Sequence, residues 1–133
     1  MAWLLDTNIC SYALKNKPPQ IARRLSSKTP GDVLVSTITV YELVTGCEES
    51  SARERILKEV TSFLVAFPKL LFSIEDAGSA AVVRARLERK GTPIGPYDIL
   101  LAGQALARDL TLVTNNTREF RRVKGLKLED WTE

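Results

Sequence analysis

The sequence predicts an α/β fold, a mostly parallel, twisted sheet with helices on both faces. Three observations carry the prediction. Short apolar runs of strand length alternate with stretches whose apolar residues recur at helical spacing. Proline and glycine clusters punctuate the joins. Strands separated by helices imply crossover connections, which bring neighbouring strands into parallel pairing. With 133 residues, 44% of them hydrophobic, and no repeat, low-complexity tract or linker, the chain reads as one domain over residues 1–133 that can bury its own core.

Residues 3–6 read as a short buried strand, and a helix over 7–15 starts at once, with Ile9, Tyr12, Ala13 and Leu14 at helical spacing. After Pro18 and Pro19, an amphipathic helix carrying Ile21, Ala22 and Leu25 runs to Ser27. A turn at 28–32 leads into a second strand over 33–36. Residues 37–47, ending near Gly46, and a longer helix over 51–67, with Ile56, Leu57, Val60, Phe63 and Leu64 inward, resemble a helical hairpin. Pro68 breaks that pattern, residues 70–74 give a third strand, and 75–90 a long helix stopped by Gly91-Thr92-Pro93. A helix over 96–108 takes proline in its first turn. Residues 110–114 form the next strand, 115–120 a turn or short helix, and 126–128 a closing strand. Trp3, Phe63, Phe67 and Phe72 are assigned to the core, and Cys10 and Cys47 to small buried hydrophobes.

What is missing narrows the chemistry. There is no histidine and no CxxC pair, so structural zinc and Ser-His-Asp or Cys-His catalysis are excluded. Hydrolysis would have to run on carboxylates, lysine or a metal. No stretch reaches membrane-spanning length and residues 1–6 have no basic start, so a cytoplasmic protein with reduced thiols is expected. Nineteen Lys and Arg against sixteen Asp and Glu give a net charge of +3, a mild bias toward an anionic partner.

Four polar positions fall at element junctions: Asp6 after the first strand, Glu42 after the second, Asp98 at a helix start, and Asn116 after the strand over 110–114. Each also has a plain structural reading. Asp6 suits an N-cap, Thr39-x-x-Glu42 and Asn116-x-x-Glu119 have capping-box spacing, and Asp98 favours a helix dipole. Jointly they carry more, because in an open parallel sheet the carboxyl ends of the strands share the edge where the ligand crevice opens. Carboxylates gathered there repel one another unless a cation lies among them, and hard oxygen ligands without histidine or thiolate select Mg²⁺ or Mn²⁺. Such an ion is what phosphodiester cleavage needs.

The motifs Leu5-Asp6-Thr7-Asn8-Ile9, Tyr41 to Gly46, Ile94 to Asp98 with Gln104-Ala105-Leu106, and Val113 to Phe120 resemble, in order and spacing, the PIN-domain family and within it the VapC-type toxins. The likeness runs almost end to end, through Gly125 to Trp131. It implies a PIN-like three-layer fold and a Mg²⁺-dependent endoribonuclease, the toxin of a type II toxin–antitoxin pair, often acting on tRNA. It also implies a VapB-like antitoxin and a homodimer. Carried over, Asp6 and Asp98 are the principal metal ligands, with Mn²⁺ able to substitute for Mg²⁺, and Glu42 is the third acid. Asn116 departs from the family pattern, where many relatives carry Asp; its amide keeps an oxygen but gives up a charge, which suits orienting water or substrate.

Around this set, Thr7 and Asn8 are candidates to hydrogen-bond a carboxylate, and Glu119 to restore the charge missing at Asn116, with ordinary first-turn polarity as the alternative for each. Thr37 reads as a helix start with its hydroxyl toward the cleft. Arg118, Arg121, Arg122, Lys124 and Lys127 form a basic cluster suited to flanking phosphates or to plain solvation. Two other functions compete. A phospho-acceptor domain would need paired acids after the first strand and a lysine after a late one, which this chain lacks. A non-catalytic PIN-like RNA- or partner-binding module is the second alternative.

Overall fold

The computed structural model describes residues 1–133. Five strands, β1 (Trp3–Leu5), β2 (Val33–Ser36), β3 (Lys69–Leu70), β4 (Thr111–Val113) and β5 (Lys127–Glu129), form one sheet in the order β3-β2-β1-β4-β5. Every pairing is parallel, so the sheet is wholly rather than mostly parallel. Seven helices connect the strands: α1 (Thr7–Leu14), α2 (Pro19–Ser26), α3 (Thr37–Glu48), α4 (Arg53–Val65), α5 (Ile74–Arg89), α6 (Pro96–Ala107) and α7 (Thr117–Phe120).

Register and pleat explain the layers. Leu4 lies beside Leu34 and Leu112, while Leu5 lies beside Val35 and Val113. Side chains alternate along a strand, so these two rows face opposite sides. Leu4 and Leu112 pack with Ala80, Val83 and Leu87 of α5 and with Leu101, Ala102 and Ala105 of α6. Leu5, Val35 and Val113 pack with Ile9 and Cys10 of α1, Ile21 of α2, Leu43 and Cys47 of α3, and Val60 and Leu64 of α4. Two apolar cores therefore sandwich a sheet buried on both faces, as a parallel sheet requires. Both cysteines are free and buried as expected.

The α5–α6 pairing depends on Gly103, where an added Cβ would come within 2.4 Å of the Ala80 Cα. Behind it lies a polar lock. Asp76 closes a capping box with Ser73 and accepts from Gln104 Nε2 at 3.0 Å and Arg108 Nε at 3.0 Å. Burial disfavours charge on Asp76, but the Arg108, Ser73 and Gln104 bonds win and hold its pKa below the ordinary value.

Some expectations change. The third strand spans only Lys69–Leu70, not 70–74. The Ser73 cap starts α5 at Ile74, and Leu71 and Ile74 point to solvent at 71% and 88% exposure. Gly46 lies inside α3, which runs on to Glu48. Trp3, Phe63, Phe67 and Phe72 flank the cores, while the large aromatic side chains fully inside are Phe120 and Trp131.

Candidate active site

Strand order reverses between β1 and β4: from β1 the chain builds outward to β2 and β3, then returns to place β4 and β5 on the other side. A crevice opens at the carboxyl ends of strands flanking such a reversal. Asp6 stands there. Its backbone N–H donates to the Val113 carbonyl at 3.0 Å, tying the end of β1 to the end of β4. Its Oδ1 accepts from the Ile9 amide at 2.8 Å, capping α1, and the residue is only 4% exposed. The capping reading therefore holds for Asp6, and the same residue stands where the crevice opens.

Glu42 reaches the crevice from the second turn of α3. The Thr39-x-x-Glu42 capping box does not form, because Ser36 caps α3 by accepting from the Ile38 amide at 3.0 Å and Thr39 lies buried within the helix. Instead the Thr7 hydroxyl donates to Glu42 Oε1 at 2.6 Å and stands 3.2 Å from the Thr39 hydroxyl. Thr7 thus bonds a carboxylate as anticipated, whereas Asn8 is exposed. The Thr37 hydroxyl is not the helix cap; it accepts from the Phe72 amide at 3.3 Å.

Asp98 is the third residue of α6, in its first turn. Gly95 leaves room for it, since a Cβ there would lie 3.3 Å from Asp98 Oδ2. Asn116 stands at the N-cap of α7 without a capping bond from its side chain, so the second expected capping box is absent too. Its N–H donates to the Thr114 hydroxyl at 2.9 Å, and its Nδ2 donates to Glu119 Oε2 at 3.1 Å. The amide at 116 therefore holds a carboxylate rather than replacing one, and the Glu119 charge is felt at Asp98.

The electrostatics show how near the acids stand. Burial pushes the Asp6 carboxyl up to about 6; the Thr114 hydroxyl and Ile9 amide offset only part of this, and Asp98 and Glu42 add repulsion. Asp98 is raised to about 6 as well, by burial first and then by Glu42 and Glu119, with nothing acting the other way. At both groups the neighbouring charges that act are those of other acids. Two carboxyls with pKa raised by burial and by each other form a site poised to take up positive charge.

Whether that charge is a metal ion depends on the donor set. No three Asp, Glu or Cys side chains stand close enough to enclose an ion among them. The set is open, with carboxylate oxygens only, and an open set fits Mg²⁺ and similar hard cations, which take one or two carboxylates and keep the remaining positions for water and phosphate oxygens. Asp6 and Asp98, whose charges act on each other, are the two carboxylates that could hold such an ion.

Two contributors escaped the sequence reading. Thr114 serves both Asp6 and the Asn116 amide, and Thr39 backs Thr7. The available signal was a threonine inside an otherwise apolar strand end or helix face. Beside the acids, Tyr41 and Tyr97 pack with ring centroids 5.5 Å apart and hydroxyls 3.3 Å apart. The Tyr41 hydrogen bond, followed by the Tyr41 charge, desolvation and the Glu42 charge, holds the Tyr97 phenol above its ordinary pKa. Of the basic cluster, Lys127 pairs with Asp109 at 2.9 Å and Arg122 donates to the Pro93 carbonyl at 3.1 Å.

Known proteins share the sequence and fold of this chain. The PIN domain family matches residues 3–126. The chain is 44% identical over 131 residues to the tRNA(fMet)-specific endonuclease VapC of Salmonella typhimurium, covering 98% of each. It is 41% identical over 132 residues to the tRNA(fMet)-specific endonuclease VapC of Shigella flexneri, covering 99% of each. In three dimensions it superimposes on a chain of the DNA-bound VapBC complex from Salmonella typhimurium with a TM-score of 0.93 at 44% identity, covering 98% of both chains.

Proposed function

This chain belongs to the PIN-domain family, and from that premise we propose that it is the ribonuclease of a toxin–antitoxin pair. It cuts RNA, tRNA above all, and is held in check by a VapB-like antitoxin. The single observation that carries the chemistry is the gathering of Asp6, Glu42 and Asp98 at the β1/β4 reversal, where burial and mutual repulsion raise two of the carboxyls to about 6. The relatives' names carry the substrate and the partner.

Asp6 and Asp98 are the residues that would hold the ion, Mg²⁺ with Mn²⁺ able to substitute. When bound, it would offset the repulsion among the acids, polarise a phosphoryl oxygen and lower the pKa of water. Everything else falls to the chain. Glu42, fixed by the 2.6 Å bond from Thr7, is oriented to accept the proton that the attacking water gives up. Asn116, whose Nδ2 is committed to Glu119, keeps its carbonyl oxygen free to accept a hydrogen bond from water or a ribose hydroxyl. Asp6 is held rigid by its capping bond and by burial, which limits reorganisation during the reaction.

We take residues 1–133 as one nuclease unit, working as a homodimer and in complex with the antitoxin. No helix is long and apolar enough to cross a membrane, and the cytoplasm, where tRNA lies, is the compartment we infer. The test compares cleavage of total RNA and tRNA by the wild type and Asp6→Ala, each with Mg²⁺, Mn²⁺ or a chelator. Discrete fragments from the metal-loaded wild type alone support the assignment. Indistinguishable behaviour of the two proteins would refute it and favour a module that binds without cutting.

A further inference from the structure

A groove of about 770 Å³ runs along α5 and is closed on its far side by the segment after α7. Four cations line it, Arg86 and Lys90 from the helix and Arg122 and Lys124 from the segment, and no carboxylate does. All four are exposed, and none appears in an ion pair. Neighbouring cations differ. Arg84, on the other side of α5, is paired with Glu88 at 3.2 Å, Lys127 is paired with Asp109 at 2.9 Å, and Arg121 opens into a hollow shared with Asp130 and Glu133, which Lys124 also borders. Arg86, Lys90 and Arg122, with Lys124 at the edge toward that hollow, bring like charges together without an ion pair, and an anionic partner relieves the repulsion.

The groove is also coupled in space to the acid cluster. Arg122 donates to the carbonyl of Pro93, in the loop that delivers Gly95 and Asp98, and the segment bearing Arg122 and Lys124 follows directly from the Asn116–Glu119 turn. One wall ends in the loop before Asp98 and the other begins two residues after α7. The two walls thus adjoin the loop before Asp98 and the turn that carries Asn116 and Glu119.

We propose that this groove binds the phosphodiester backbone of the RNA flanking the scissile phosphate, with Arg86, Lys90, Arg122 and Lys124 as phosphate contacts. This rests on the ribonuclease reading above and deepens it. Arg86 and Lys90, far in sequence from the basic cluster that begins at Arg118, join Arg122 and Lys124 in the binding surface, while Arg118, Arg121 and Lys127 lie outside it. The contacts are with phosphate, so they set affinity and register on the chain and carry no base preference. The apolar floor, Val82, Val83 and Leu106 among it, lies against the chain between phosphates.

Each phosphate contact on a single strand contributes about −0.7 to the slope of log K against log salt, which near 0.1 M salt is roughly fivefold in affinity. Arg86→Ala with Lys90→Ala, in an Asp98→Asn background that binds without cutting, should therefore weaken tRNA binding roughly 25-fold near 0.1 M and flatten the slope by about 1.4. Arg84→Ala, in the same helix but facing away, should change neither. In the cleaving protein, the double variant should lose kcat/KM on tRNA but not on a trinucleotide too short to reach the groove. If the wild type cuts neither RNA, the ribonuclease reading fails. If it cuts both and the double variant binds and cuts tRNA with unchanged affinity and salt slope, the groove proposal is wrong and an acidic protein segment becomes its occupant. Lys124→Glu, at the opposite wall, repeats the test away from α5, with the same loss of affinity expected.

Discussion

Replacing Asp6 by Asn tests the electrostatic account, because it removes the buried charge and keeps the helix cap: Asn caps as well as Asp. The folded-state pKa of Asp6 is raised from 3.8 to about 6. Between those values the folded chain holds its proton more tightly than the unfolded one, so stability falls as pH rises through the window. Above it, the charge costs the metal-free protein roughly 3 kcal/mol, at about 1.4 kcal/mol per unit. The amide hydrogen-bonds its buried surroundings less well than the protonated carboxyl does, which takes back about 1 kcal/mol of that. Asp6→Asn should therefore be more stable by about 2 kcal/mol at pH 8 in chelator, a rise in Tm of roughly 6–8 °C for a domain of this size. Near pH 4 the advantage should vanish. Saturating Mg²⁺ should reverse the order, since a ligand at one hundred times its Kd stabilises the wild type by about 2.7 kcal/mol and should do little for the variant. Thermal melts at the two pH values, with chelator and with Mg²⁺, provide the measurement. A variant less stable than the wild type at pH 8 without metal, or a gap that does not change with pH, would refute the reasoning.

Three further substitutions separate the parts. Asn116→Asp should keep or raise cleavage at saturating metal, while it removes the donor to Glu119, adds a carboxylate and shifts the acid limb of the pH–rate profile upward. Gly95→Ala places a Cβ 3.3 Å from Asp98 Oδ2; kcat should fall several-fold to about tenfold with Tm nearly unchanged, since small displacements at a reacting centre are costly. Gly103→Ala should do the opposite, losing about 3 kcal/mol or more in denaturant titrations because its Cβ would overlap Ala80, with kcat retained in the folded fraction.

Local signals made much of this molecule legible from sequence. Leu4-Leu5, Val33 to Val35 and Leu112-Val113 announce strands buried on both faces, and the prolines and glycines mark where helices begin and stop. The junction acids were legible for the same reason, since a parallel sheet sends the ends of β1 and β4 to one edge. Contacts between distant elements were not. Nothing near Thr7 says that its hydroxyl will meet Glu42, and the bonds from Gln104 and Arg108 to Asp76 join helices that only the fold brings together. The two capping-box spacings misled because Ser36, one residue before α3, already supplies the cap, and because Asn116 turns its amide toward Glu119. The third strand was over-read because the apolar run 70–74 looks like a strand until the Ser73–Asp76 cap is given priority, with Ile74 exposed as the first helical residue.

Proton release on Mn²⁺ binding, followed by calorimetry in buffers of different ionisation enthalpy, tests the central claim most directly: the crevice acids form one metal site. Asp6 and Asp98 both titrate at about 6, so near pH 6 each is half protonated, and binding that needs both ionised should release about one proton in all and almost none at pH 8. The account predicts that difference, together with loss of binding in Asp6→Asn and Asp98→Asn. Tight binding with no proton release near pH 6, or binding unchanged in both variants, would contradict it.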